Sequence, residues 1–216
     1  MVPKKWGQGQ LFAFSALDGD AFFTDDFAGT LSGDKIGVIF ESLCRRTLFF
    51  SNLSNLAEPD IQCVTSDMIE LKTFTGTFSI LFAERHLVVG TYGEIADVLV
   101  RCDGECKIIR NGDTEIHDSN DGEYTALLRR EGRFAFAYGK SEAEVVTLCE
   151  KGINLDLDEI KTKKLKPYEK ILSGDNRYAP LYAKCISVMR SQLCSPEGNI
   201  KRIWSTPDRL PHRNMW

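Results

Sequence analysis

The chain has 216 residues, 43% of them hydrophobic, with 27 Lys and Arg against 31 Asp and Glu. That length fits one large domain, or one domain with an attachment, and is enough to bury a real core. The charge is mildly negative and evenly mixed, which argues against a nucleic-acid partner, and no apolar run approaches the roughly 20 residues that span a bilayer.

The first 20 residues, MVPKKWGQGQLFAFSALDGD, hold two lysines but no continuous apolar segment, so they make a poor signal peptide. Cys44, Cys63, Cys102, Cys106, Cys149, Cys185 and Cys194 are odd in number and scattered. That usage suits a reduced, cytoplasmic chain whose thiols serve as small core hydrophobes. Cys102 and Cys106 are a close pair, but His86, His117 and His212 stand at no ligand spacing, so no metal or other cofactor is expected.

From residue 10 to about 140 the pattern is strand after strand. KIGVIFES (35–42) and RRTLFFSN (45–52) flank a short turn, and IQCVTSD (61–67) leads into MIELKTF (68–74). Gly76 breaks that run before TFSILFAERHLVVGTY (77–92). Asn111-Gly112 between two alternating runs in ECKIIRNGDTEIHDS (105–119) is a strong hairpin signal, and Glu131-Gly132 marks a second hairpin. In RFAFAYG, Phe134, Phe136 and Tyr138 share one face while Ala135 and Ala137 share the other, as in a sheet packed on a second layer. Ten or more short strands without intervening helices predict a mainly β chain, an antiparallel β-sandwich, with a barrel as the competing arrangement.

At Ser141 the pattern changes. Ser141 and Glu144 form a capping box, Val145, Val146, Leu148 and Cys149 supply an apolar stripe, and Gly152 is the expected stop. DLDEIKTKKLKPYEKIL (156–172) is helix-prone, with acids at its front and lysines behind, and Pro167 is expected to break or kink it. A third helix is predicted within 178–194, ended by Ser195-Pro196-Glu197-Gly198. The expected organisation is a sandwich domain over 1–140, a helical linker over 141–195, and a distinct segment over 196–216.

LSGDKIGV (31–38) lacks the spacing of a phosphate loop, and the acids of LDGD (17–20) and TDDF (24–27) lack that of a calcium loop, so all three read as turns or solvated edges. The last residues differ. Trp204, Asp208, Arg209, His212, Arg213 and Trp216 fall within thirteen positions, with Pro207 and Pro211 to stiffen them. Aromatic faces and forked polar groups together suit a sugar ring, whose C–H face stacks and whose hydroxyls take hydrogen bonds. The same inventory also suits an anchoring loop, with the tryptophans packed in a crevice.

YAKCISVMRSQLCSPEGNIKRIWSTPDRLPHRNMW (182–216) resembles the approach to the catalytic domain of six-hairpin glycosidases, the α-glycosidases of the processing α-glucosidase, trehalase and glycogen-debranching type (glycoside hydrolase family 63-like). The matching positions are Trp204, Thr206, Pro207, Asp208, Arg209, Pro211, His212, Arg213, Met215 and Trp216. The resemblance covers about one sixth of the chain. It implies a non-catalytic sandwich followed by a linker and the start of an α/α toroid, with the chain stopping inside the first barrel hairpin. It also implies an α-glycoside as partner of the full-length protein and the chain's own barrel as a second. Trp204, Asp208, Arg209, His212 and Trp216 are then the sugar contacts, and the acid and base carboxylates, which must straddle the scissile bond, are expected outside this chain. The competing readings are a stand-alone carbohydrate-binding module, using Trp6 and strand aromatics, and a structural domain that self-associates through an uncovered face.

Overall fold

The computed structural model describes residues 11–12, 27–32, 35–40, 45–51, 60–62, 68–73, 76–84, 86–93 and 97–191, and beyond them 193–194, 199, 201–202 and 204–205. The first strands are β1 (Leu11–Phe12), β2 (Phe27–Ser32), β3 (Lys35–Phe40), β4 (Arg45–Ser51), β5 (Asp60–Gln62) and β6 (Met68–Thr73). They are followed by β7 (Gly76–Glu84), β8 (Leu87–Thr91), β9 (Asp97–Asp103), β10 (Lys107–Asn111), β11 (Thr114–Asp118), β12 (Tyr124–Arg130) and β13 (Arg133–Gly139). Three helices come next, α1 (Glu142–Ile153), α2 (Leu157–Leu172) and α3 (Ala179–Ser191), then β14 (Leu193–Cys194) and β15 (Trp204–Ser205).

The protein is mainly antiparallel β. One sheet runs β1-β2-β3-β4-β9 and a larger one β10-β11-β12-β13-β8-β7-β6-β5, while β14 and β15, among the described residues, pair only with each other. The sheets form a sandwich, with Leu48 of β4 and Val98 of β9 buried in it. Two side chains tie the layers. Arg46 of β4 donates to the Glu123 carbonyl at 2.9 Å, and Arg129 of β12 donates to the Val98 carbonyl at 3.0 Å.

Each face of the large sheet has its own core. Phe136 pairs with Val88 and Leu127, and with Phe78, Phe82 and Phe134 they are fully buried towards the small sheet. Truncating any of these phenylalanines to Ala removes about 3–5 kcal/mol. On the opposite face, Ala135, Ala137, Ala126 and Leu128 pack with Val145, Cys149 and Ile153 of α1. The alternation of RFAFAYG therefore sorts large rings into the sandwich and small side chains under a helix. Gly90 belongs to the same sorting: a Cβ there would lie 1.9 Å from the Ser79 carbonyl oxygen and 2.6 Å from the Phe134 ring.

Several local details differ from the sequence reading. The turn between β10 and β11 is centred on Gly112-Asp113, because Asn111 pairs with Thr114, and Gly112 takes the positive φ of 59°. Glu131 and Gly132 turn β12 into β13 as expected, at φ 51° and 74°. The 77–92 run is itself a hairpin, β7 and β8. Ser141 caps α1 by accepting from the Glu144 N–H at 3.2 Å, and the Glu144 carboxylate accepts from the Lys140 N–H at 2.8 Å. Gly152 does not stop this helix. It lies inside it, where a Cβ would meet Leu87, Ala135 and Val89 at 2.9–3.1 Å, so it serves close helix–sheet contact. Hence α1 is built into the core of the sheet rather than standing apart as a connector.

Pro167 neither breaks nor ends α2, which runs through it to Leu172. Its ring removes one N–H, a local loss that the rest of the helix absorbs, including an Asp156 cap that accepts from the Asp158 and Glu159 N–H groups. The third helix closes at Ser191, three residues short of the reading to 194, because Leu193–Cys194 pairs with Trp204–Ser205. No helix among the described residues is long and apolar enough to cross a membrane.

Candidate functional site

Asp208, Arg209, His212 and Trp216, expected as sugar contacts, lie outside the described residues, as do LDGD (17–20) and residues 24–26 of TDDF (24–27), whose Phe27 opens β2. Trp204 opens β15, where its backbone pairs with Cys194. The first residue of the tail motif is thus tied to the chain just past α3. Cys102, Cys106 and Cys149 are in the thiol form rather than in disulfides, and the Cys149 Sγ donates to the Ala126 and Ala135 carbonyls at 3.3 and 3.5 Å. Burial pushes the Cys149 thiol up to about 12, so it stays protonated and inert.

The described residues hold a polar constellation that sequence reasoning did not single out. In β11, TEIHD alternates so that Glu115 and His117 share the face towards the small sheet. The register sets Arg110 of β10 opposite Glu115, and Thr125 of β12 opposite His117. His117 is fully buried, with Nε2 3.0 Å from Glu115 Oε1 and Nδ1 3.4 Å from Thr125 Oγ1. A neutral ring donating from Nε2 and accepting at Nδ1 satisfies both contacts. Burial holds the His117 pKa below its ordinary value, against the raising effect of Glu115.

Hydroxyl, imidazole and carboxylate in line suggest nucleophilic catalysis. Burial rules that out here, since Thr125 and His117 are both 0% exposed and no substrate reaches either. The outer oxygen of Glu115 is the part that meets solvent. Its Oε2 lies 3.7 Å from an Arg110 nitrogen and 3.8 Å from an Arg129 nitrogen. These three side chains, with Gly112, Asp113 and Thr114, line an open groove of 410 Å³.

A second cleft, of 520 Å³, lies between the α1–α2 junction and the β8–β13 pair. Its polar groups are already engaged. Arg133 donates to the Leu155 carbonyl, Lys161 pairs with Glu70 at 2.8 Å, and Asp156 caps α2. The Glu115 groove is the better candidate for a ligand because Arg110 is held only by a 3.7 Å ion pair and Arg129 gives one N–H to the Val98 carbonyl while the rest of its fork sits in longer ion pairs. The signal for it was present in the alternation of TEIHD and in the hairpin turn that brings Arg110 across. Arg129 arrives from a different hairpin and carried no such cue.

No protein-family model, curated protein or solved structure matches the chain.

Proposed function

We propose that this chain acts as the N-terminal, non-catalytic module of a cytoplasmic α-glycosidase, its sandwich with α1 bracing an α/α barrel and the helices after α1 bridging to that barrel. The observation that supports this reading best is the inverted polarity of α3, directly ahead of the W-STPDR-LPHR-MW motif. Its buried positions, Ala179, Ala183 and Ser187, are small, whereas Leu181, Tyr182 and Met189 are each 58–69% exposed, and Tyr178 just before the helix is 54% exposed. Large apolar side chains grouped on the outside of a helix suit a covering partner. In this reading the partner is the barrel, and Trp204, Asp208, Arg209, His212 and Trp216 contact the sugar at its mouth.

The same stripe suits self-association, which is the second reading. The deciding measurement is the mass of the native protein in its source cell, using an antibody raised against residues 1–150. A species several hundred residues longer, hydrolysing α-glycosides and losing about tenfold or more in kcat/KM on Arg209→Ala, supports the glycosidase module. A species of the present length that is oligomeric in light scattering, and becomes monomeric on Leu181→Glu, replaces it with the assembly reading.

A further inference from the structure

The groove around Glu115 is lined by none of the residues of the tail motif, and it has the chemistry of a binding site. The Arg110 side chain is 79% exposed, and among the described residues its guanidinium makes no hydrogen bond and forms one ion pair, with Glu115 at 3.7 Å. Arg129 spends one N–H on the Val98 carbonyl and otherwise sits 3.7 Å from Asp97 and 3.8 Å from Glu115. Separations of that size exceed hydrogen-bond length, so most of the donors on both forks remain available beside a carboxylate oxygen. Gly112 leaves the approach open, with nothing within 4 Å of where a Cβ would project.

Charge selects the ligand class. Arg110 and Arg129 face Glu115, Arg129 also lies 3.7 Å from Asp97, and Asp113 pairs with Arg130 at 3.5 Å, so carboxylates stand beside both forks and an anion gains from the forks and loses to the carboxylates. A neutral ligand carrying adjacent hydroxyls loses nothing. One hydroxyl donates to Glu115 Oε2 while its neighbour accepts from a guanidinium. The volume of 410 Å³ lies within the range of small-ligand pockets. His117 fixes the other oxygen of Glu115 at 3.0 Å and so holds the carboxylate in place.

We infer that the groove formed by Arg110, Arg129 and Glu115 binds a neutral saccharide unit through a vicinal pair of hydroxyls. This inference stands apart from the barrel reading, since it needs only the 216-residue chain and no tail residue. The test is titration of the ¹⁵N-labelled full chain, following the arginine Nε–H signals by NMR. The probes are D-glucose, D-galactose, D-mannose and maltose, with inorganic phosphate as a separate arm.

The expected result is saturable movement of the Arg110 and Arg129 signals with at least one sugar in the millimolar range, weakened about tenfold or more by Arg110→Met. Lys107→Met, an exposed change on the other side of β10, leaves the response unchanged. Movement with phosphate but with none of the sugars overturns the proposal in favour of an anion site. Shifts that rise without saturating, or that survive Arg110→Met, also overturn it. Because neither arm involves a barrel or glycoside turnover, failure here leaves the glycosidase proposal to its own test.

Discussion

Replacing Arg46 by Met should destabilise the sandwich far more than a surface charge change would. The Arg46 side chain is 0% exposed and Asp121 is 7% exposed. The guanidinium donates to the Ser119 hydroxyl and to the Glu123 carbonyl at 2.9 Å, and it faces Asp121 Oδ1 at 3.5 Å. Met preserves the length and apolar stem of the side chain, so the experiment removes charge and donors rather than volume. What remains is a carboxylate in a nearly dry site, with its Oδ2 lacking any partner among the described residues.

Removing one member of a buried ion pair costs about 3–5 kcal/mol, and the long 3.5 Å separation places this pair at the lower end, about 3 kcal/mol. With a urea slope of about 2 kcal/mol per molar, the midpoint falls by about 1.5 M, read by far-ultraviolet circular dichroism. Burial by itself would raise the Asp121 pKa. Hydrogen bonds from Ser119 and the Glu123 N–H, with the Arg46 charge, hold it below its ordinary value instead. Adding Asp121→Asn to the Met variant removes the stranded charge and should restore part of the loss. A midpoint shift below about 0.3 M for Arg46→Met would refute the claim that this pair is buried and locks the two sheets.

Gly90→Ala should prevent stable folding or lower the thermal midpoint by well over 10 °C, because its Cβ would collide with backbone at Ser79 as well as with Phe134; differential scanning calorimetry reads it. His117, held below its ordinary pKa of 6.5 by burial, is neutral in both states above about pH 6.5. As the pH falls below that value the unfolded chain binds a proton that the folded chain refuses, so stability declines until the folded pKa is passed. His117→Gln should flatten this part of the profile, and parallel urea midpoints of the two proteins between about pH 7.5 and pH 5 will show it.

The parts of the fold that were legible in the sequence are those specified by neighbouring residues. Gly132, between two alternating runs, announced the turn at Glu131-Gly132, where both residues take positive φ. Ser141 with Glu144 announced the start of α1 through the chemistry of its unpaired N–H groups. Distant contacts were not legible. Gly152 looks like a helix stop in isolation, and its role depends on Leu87, Val89 and Ala135, between 17 and 65 residues away. The same limit applied to the groove. Alternation put Glu115 and His117 on one face, but nothing local says that Arg129 comes across from β12 or that Thr125 lies opposite His117. The expectation that Pro167 breaks or kinks α2 failed in its first part, since the strength of the flanking helix decides whether one missing N–H ends it.

The pairing of β4 with β9 also bears on how the molecule assembles. Ser51 pairs with Asp97 and Arg45 with Asp103, so residues 52–96 must be looped out before this ladder can close. By contrast, β10 to β13 and α1 form a run of adjacent hairpins and a following helix, each contact needing only a short closure. Loop entropy favours the local unit first and delays the edge of the small sheet. Side chains along β4 and β9 then make their contacts late, on the native side of the rate-limiting barrier. Damage to them acts mainly by hastening unfolding, whereas damage to the β12–β13 hairpin slows the first productive collapse.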